Sequence, residues 1–326
     1  RQFTVSLQDK NEDVLEAIKR KNISDEGFED VYEMCKRENV PMATELMLGL
    51  PNQTYDNWMN AINYFHTKDI YTVWNPTSIL PNTEMNEPAY REKYGLQTEI
   101  NVIPNSLYID EHEEVIVGTN TMTKKDLNDA ILHTYVLDVL HGHGFTDIIA
   151  KFYSKVTGKR FVDFYKILFE YYINKPGTLI YDWLDPLKNH VADKKTYLLF
   201  GGAQNFNIFQ LIGCTERKRF FKEIHEFASS LFDIKYVDDV ITLQYYRQTH
   251  SFDLEQKTIT LDWDILDYIT NNDSTIKHNA VYDITYKPIE KDFDTFADFI
   301  INGRFLKKWK ATIKQVNSKM VEQTTL

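Results

Sequence analysis

Apolar residues recur along the first eighty positions in two alternating rhythms. At Phe3–Gln8 the spacing is two: Phe3, Val5 and Leu7 share one side of an extended segment, while Thr4, Ser6 and Gln8 share the other. Residues 12–19 switch to helical spacing, with Val14, Leu15 and Ile18 on one face. Residues 28–38 repeat that spacing through Phe28, Val31, Tyr32, Met34 and Cys35. Residues 42–50 read as a second strand, stopped by Gly49-Leu50-Pro51-Asn52. Thr54 is placed to cap a helix over residues 55–66, whose apolar face is Trp58, Ile62 and Phe65. Residues 70–80 read as a third strand. Strands alternating with helices over short connections predict a parallel sheet, open or barrel-like.

The rhythm changes from about residue 86. Residues 113–117 read as a short strand. Thr123 heads an amphipathic helix carrying Leu127, Ile131 and Leu137, which ends at Gly142 or Gly144. Residues 145–172 read as one aromatic helical stretch, with a break near Lys175-Pro176-Gly177. Gln256–Trp263 and residues 279–286 both alternate with period two and predict an antiparallel pair. Residues 293–316 read as helical, interrupted near Gly303. The pattern contains no internal repeat and no low-complexity tract.

Composition narrows the class. The chain has 326 residues, 43% of them hydrophobic, with 20 Tyr and 20 Phe, which marks it as globular. No apolar run reaches the roughly 18 residues that span a bilayer. With 37 basic and 48 acidic residues the net charge is −11, which argues against a broad nucleic-acid face. A small anionic ligand held by one local arginine remains compatible. Two cysteines, Cys35 and Cys214, point to a reducing cytoplasm as the default setting, and they are too few to ligate an iron–sulfur cluster.

The strand tips carry the candidate chemistry. In the second strand Thr44, Leu46 and Leu48 share a face against Ala43, Glu45 and Met47. With the bulkier apolar faces against helices, Gln8 and Glu45 point to the opposite side, near the carboxyl ends of their strands. Such ends are where β/α folds place their chemistry. Arg20, at the end of the first helix, can fold back to that rim. A carboxylate accepts two ribose hydroxyls, and a guanidinium grips a carboxylate through two parallel bonds. The plainer alternative is an ion pair between Arg20 and Glu45 at a helix end, with Gln8 as a polar strand terminus.

The runs Ser6-Leu-Gln-Asp-Lys-Asn-Glu-Asp-Val-Leu-Glu-Ala-Ile-Lys-Arg-Lys-Asn22 and Thr44-Glu-Leu-Met-Leu-Gly-Leu-Pro-Asn-Gln-Thr54 resemble the second half of the barrel of radical S-adenosylmethionine (SAM) enzymes. The branch they resemble holds oxygen-independent coproporphyrinogen oxidase and the cobalamin-associated radical SAM proteins. Tyr71-Thr-Val-Trp-Asn-Pro-Thr-Ser-Ile-Leu-Pro-Asn-Thr83 is similar to the last strand of that family. The resemblance covers residues 1–97. It implies that Gln8 and Glu45 bind the SAM ribose and that Arg20 binds the methionine carboxylate. It further implies that Met47 forms a hydrophobic wall and that Gly49 lets the backbone approach the adenine. Asn75 is carried over as a polar residue whose role is open.

The family's three-cysteine loop, Cys-x-x-x-Cys-x-x-Cys, has no counterpart in the chain, nor does the next strand with its Gly-rich segment for the SAM amino group. The resemblance therefore implies a C-terminal piece that starts at the fourth strand of a six-stranded partial barrel. Its parent would cleave SAM reductively at a [4Fe-4S] cluster to give a 5′-deoxyadenosyl radical. A flavodoxin- or ferredoxin-type reductant and a small-molecule or peptide substrate come with the family, as does cobalamin in the branch where such a domain precedes the barrel.

The fold expected is thus α/β: the C-terminal half of a partial (β/α)6 TIM-like barrel over residues 1–97, followed over residues 98–326 by a mostly helical extension with a small antiparallel β element that covers the substrate pocket. The competing functional reading is a catalytically silent nucleoside-binding or interaction protein on a β/α scaffold; an unrelated α/β enzyme is a third. Secondary candidates are weaker. His133, His141 and His143 suggest a metal, but they bracket a helix end where packing is the better reading. Cys35 reads as core, and Cys214 beside Arg217 lacks a placed base. The aromatic residues 161–172 read as core sooner than as a cavity lining. Lys307-Lys308-Trp309-Lys310 reads as a solvated face, and Asn272-Asp273-Ser274 has the form of a glycosylation sequon.

Overall fold

The computed structural model describes residues 2–103, 111–192, 216–247, 256–271, 275–286 and 312–316. Cys214, Asn272–Ser274 in the numbering 272–274, residues 307–310 and most of 293–316 lie outside these. The chain forms two compact units, Arg1–Thr134 and Tyr135–Leu326. The first extends past residue 97 to take in a β-hairpin and most of the following helix.

In the first unit β1 (Phe3–Gln8), β2 (Met42–Leu48) and β3 (Tyr71–Pro76) form a parallel sheet in that order. Ser6 pairs with Glu45, Glu45 with Val73, and Met47 with Asn75. One face of the sheet is buried: Leu7, Thr44, Leu46, Leu48, Thr72 and Trp74. Helices α1 (Glu12–Ala17), α2 (Asp25–Arg37) and α3 (Tyr55–Thr67) connect the strands. α3 buries Trp58, Ile62 and Phe65, and the Trp58 and Trp74 rings meet edge-on at 6.0 Å. Each helix starts on a side-chain cap. Asn11 accepts from Val14 N, Ser24 from Gly27 N and Thr54 from Asn57 N, which satisfies donors that a helix start leaves unpaired. The other face of the sheet is open, with Thr4, Ser6, Glu45, Tyr71, Val73 and Asn75 exposed.

The third strand is shorter than its pattern predicts. β3 stops at Pro76, which cannot donate to a ladder. Thr77 then gives both its N–H and its hydroxyl to the Leu48 carbonyl, at 2.8 and 2.9 Å. This turns the chain into β4 (Ser78–Ile79), which joins an antiparallel sheet in the order β4-β6-β5 with β5 (Gln97–Ile103) and β6 (Glu111–Gly118). Helix α4 (Pro88–Tyr94) ends on Gly95 in the left-handed region, and its Tyr90 hydroxyl donates to the Ala17 carbonyl at 2.8 Å. α5 (Lys124–Leu137) opens with a reciprocal cap: Thr123 Oγ1 accepts from Asp126 N, and the Asp126 carboxylate accepts from Thr123 N.

The second unit is helical with one small sheet. Residues 145–172 form two helices, α6 (Asp147–Thr157) and α7 (Phe161–Tyr172), because Gly158 adopts φ +70° and ends the first. Phe161, Phe164, Tyr165 and Tyr172 are buried, as core residues would be. β7 (Gln256–Trp263) pairs antiparallel with β8 (His278–Thr285), as the alternation predicts. Thr312–Gln315 is a strand paired with β8, so the helix expected over 293–316 does not reach these residues. The structure is mixed α/β throughout. No described helix is long and apolar enough to cross a membrane.

Buried polar side chains tie the helices of the second unit together. Gln244 is fully buried; its Oε1 accepts from Ile148 N and its Nε2 donates to the Gly144 carbonyl, both at 2.7 Å. Replacing Gln244 with Ala leaves those backbone groups buried without partners. We expect a loss of about 2–4 kcal/mol in unfolding free energy, read from urea denaturation.

Candidate functional site

The site forms where β1 and β2 end. β1 does not run straight into its turn: its register shifts between Ser6 and Gln8, and Gln8 takes φ +63°. Asp9 N donates back to the Leu7 carbonyl at 2.8 Å, so Gln8 sits at the centre of a γ-turn. Left-handed backbone at a non-glycine residue costs about 1–2 kcal/mol, and such strain persists only where surroundings impose it.

Those surroundings are polar and buried. Asp9 is 1% exposed. One carboxylate oxygen accepts from Asn11 N and the other from Gln53 Nε2, both at 2.6 Å. Burial pushes the Asp9 carboxyl above its ordinary range, and the hydrogen bonds from Asn11, Gln53 and Lys10 oppose that shift. Gln53, also buried, accepts from Gly49 N at 2.7 Å and donates to the Met47 carbonyl at 3.0 Å.

Arg20 folds back to the rim, as expected. Its Nη2 donates to the Ser6 carbonyl at 2.6 Å and its Nε to Asn22 Oδ1 at 3.3 Å. Asn22 in turn donates to the Asp9 carbonyl at 2.8 Å. Glu45 accepts from the Ser6 hydroxyl at 2.5 Å. Arg20 and Glu45 thus converge on the same residue, Ser6, and do not pair with each other.

A cavity of about 720 Å³ opens at this rim, lined among others by Gln8, Arg20, Met47, Leu50, Thr77 and Tyr90. Its size lies within the roughly 300–1,000 Å³ usual for small-molecule sites. Lys19 and Lys21 stand at its border, and an ion pair of 2.7 Å joins Lys19 to Glu84 there. Arg20 and Lys21 also border a second cavity of about 500 Å³, on the side of Lys10, Asn22 and Phe28.

Of the residues singled out in the sequence, Gln8, Arg20 and Met47 share the larger cavity. Glu45 and Asn75 stand on the exposed sheet face that Met47 also occupies, two residues before Met47 and directly across from it, respectively. Gly49 is buried at φ +88°, and a Cβ there would lie 3.1 Å from the Leu127 side chain. The glycine is required by its backbone and by that neighbour. Sequence reasoning missed Ser6, Asp9, Asn22 and Gln53, polar residues whose role is to bond other protein groups: Asp9, Asn22 and Gln53 reach backbone, and Ser6 reaches Glu45. The available signal was their position, next to or within the motifs already noted.

The remaining candidates are structural in their surroundings. His141 is buried, stacks on Phe161 at 4.7 Å and shares a hydrogen bond of 3.0 Å with the Tyr165 hydroxyl. Cys35 is buried on α2. Among the described residues no group of three His, Cys, Asp or Glu is placed to hold a metal ion.

A cleft of mixed polar and apolar lining, bordered by cationic side chains at the carboxyl ends of parallel strands, is the kind of site a nucleoside-bearing anion fills in β/α enzymes. No family model matches the chain. Two curated proteins that it resembles are methyltransferases, one of them a cobalamin-dependent radical SAM enzyme by name, which supports a radical SAM-related chain. It is 27% identical to the cobalamin-dependent radical SAM methyltransferase TokK of Streptomyces tokunonensis, over 70% of this chain and 38% of that protein. It is 29% identical to the 2-(S-pantetheinyl)-carbapenam-3-carboxylate methyltransferase of Streptantibioticus cattleyicolor, over 59% of this chain and 31% of that protein. The chain spans less than two-fifths of the length of these relatives. A 70% share of the chain also exceeds residues 1–97 by far, so the likeness runs well beyond the strand–helix region.

Gly49→Ala tests the turn that closes β2. The added methyl meets Leu127 and the backbone is held at positive φ, so we expect a loss of about 1–3 kcal/mol. Gly142→Ala, where φ is not positive and no atom lies within 4 Å of the new Cβ, is the matched control and should leave the melting temperature unchanged or raise it.

Proposed function

We propose that the first unit holds the adenosyl and methionine parts of SAM, and that the whole protein is a radical SAM enzyme of the methyltransferase branch. In this reading β1–β3 are the C-terminal half of a partial (β/α)6 barrel, and their open face is part of its interior. The observation that carries the proposal is the gathering of Gln8, Arg20 and Met47 around one cavity, with Ser6 joining Arg20 to Glu45 through its carbonyl and its hydroxyl.

The chemistry of each group suits the assignment. A guanidinium has five N–H donors. Arg20 commits Nε and one bond of Nη2 to the protein, which fixes its plane and leaves the other donors for a methionine carboxylate. Gln8 offers an amide, and Glu45 a carboxylate, to the paired hydroxyls of a ribose. Met47 supplies soft apolar surface, suited to an adenine or a sulfonium neighbourhood. Lys21 adds positive potential at the mouth, where Lys19 is already paired with Glu84.

Two cysteines cannot hold the iron–sulfur cluster that this chemistry uses. In the proposal its ligands, and any cobalamin site, belong to parts of the protein other than the residues of this chain. When bound, the cluster supplies the electron that cleaves SAM, and a flavodoxin- or ferredoxin-type protein supplies that electron in turn. This chain's share is to bind and orient SAM; the methyl acceptor is left unassigned.

The test is SAM binding by the natural full-length protein, purified without oxygen, followed by assay of 5′-deoxyadenosine after reduction. We expect SAM to bind and to be cleaved, and Arg20→Ala to weaken binding about tenfold or more, the effect of losing a charge-assisted pair. A protein that binds no SAM, or an Arg20→Ala variant that binds it as tightly as wild type, overturns the assignment. Binding without cleavage favours a silent nucleoside-binding protein.

A further inference from the structure

The hydrogen bonds around Asp9 form a branched network with that residue at its centre. Through Oδ2 it reaches Gln53, and through Gln53 the Met47 carbonyl and Gly49 N. Through its own carbonyl it reaches Asn22, and through Asn22 the Arg20 guanidinium. Through Oδ1 it anchors Asn11 N, and Asn11 caps α1, the helix that leads to Arg20. Gln8 is its chain neighbour, held at φ +63°. Every candidate ligand-holding residue of the cavity is therefore within two hydrogen bonds or one peptide bond of Asp9. Asp9 itself is buried and does not line the cavity.

The orientation of the Gln53 amide follows from this. Both carboxylate oxygens of Asp9 accept, so the side facing it must be the NH2 group. That leaves Oε1 facing Gly49 N, the one arrangement in which all the bonds are made.

We propose that Asp9 and Gln53 are positioning residues: a buried latch that holds Gln8, Arg20 and Met47 in the geometry that binds SAM, without touching the ligand. The latch rests on the SAM reading for its purpose, but not for its existence. Its polarity predicts a specific rescue. In Asp9→Asn the oxygen of the new amide stays with Asn11 N, so its NH2 meets the NH2 of Gln53. Gln53 must turn over, which sets a donor against Gly49 N and strips the Met47 carbonyl of its partner. Adding Gln53→Glu supplies two acceptors, one for the new amide and one for Gly49 N, and restores both of those bonds, while a carboxylate oxygen now faces the Met47 carbonyl in place of its donor.

The experiment compares wild type, D9N and D9N/Q53E in the natural full-length protein. It measures SAM affinity by equilibrium dialysis without reductant, and protection of the Gly49 amide by hydrogen exchange. We expect D9N to bind SAM at least tenfold more weakly, with Gly49 protection reduced, and D9N/Q53E to return to within about threefold of wild type on both measures. A general stability role would instead lower the melting temperature of both variants and give no rescue. D9N that binds like wild type overturns the latch. So does a double variant no better than D9N, or one that fails to fold, whether or not D9N itself folds. If wild type binds no SAM, the SAM assignment falls, and the Gly49 amide alone decides the latch by the same comparison.

Discussion

A buried acceptor needs a donor, and at the head of this sheet the requirement is met by pairing Asp9 with Gln53. An unpaired carboxylate at 1% exposure would cost several kcal/mol. The glutamine that satisfies it belongs to the turn after β2, so the ends of two strands are joined through side chains where their ladder has already slipped. The bulge at Ser6–Gln8, the γ-turn at Gln8 and the tight turn at Gly49 all meet at this bond. Local strain at the end of β1 is sustained because the turn after the neighbouring strand contributes the partner.

The frame of the first unit was legible because it follows from periodicity. Strand β1 and the start of β2 lie where alternation puts them, and Thr54 caps α3 as its type and place suggest. Parity also placed Glu45 on the open face, since a pleated strand leaves no choice once Leu46 and Leu48 are buried. What periodicity could not show was interruption. Pro76 and Thr77 end a strand whose apolar pattern continues to Leu80, and Gly158 divides a run that stays aromatic on both sides. A single residue's backbone preference decided each case, against the pattern around it.

The site was legible in part for the same reason. Gln8, Arg20 and Met47 have side chains long or distinctive enough to suggest a ligand, and they do share a cavity. Asp9, Asn22 and Gln53 act on backbone groups, and nothing in spacing tells which carbonyl an asparagine will meet. The ion pair between Arg20 and Glu45 failed for a related reason: Ser6 offers Arg20 a carbonyl and Glu45 a hydroxyl, so each finds a nearer partner. The extent of the likeness to the two methyltransferases was under-read as well. Motifs with glycine and proline stand out in a sequence, while a helical region offers mainly an apolar pattern, which any buried helix would show.

One small feature has wide reach. The Leu48 carbonyl receives both the N–H and the hydroxyl of Thr77, so its two lone pairs are spoken for. That carbonyl is thereby closed to any arriving molecule. At this point of the rim recognition passes to the side chains around it, which substitution can re-letter while the scaffold beneath keeps its shape.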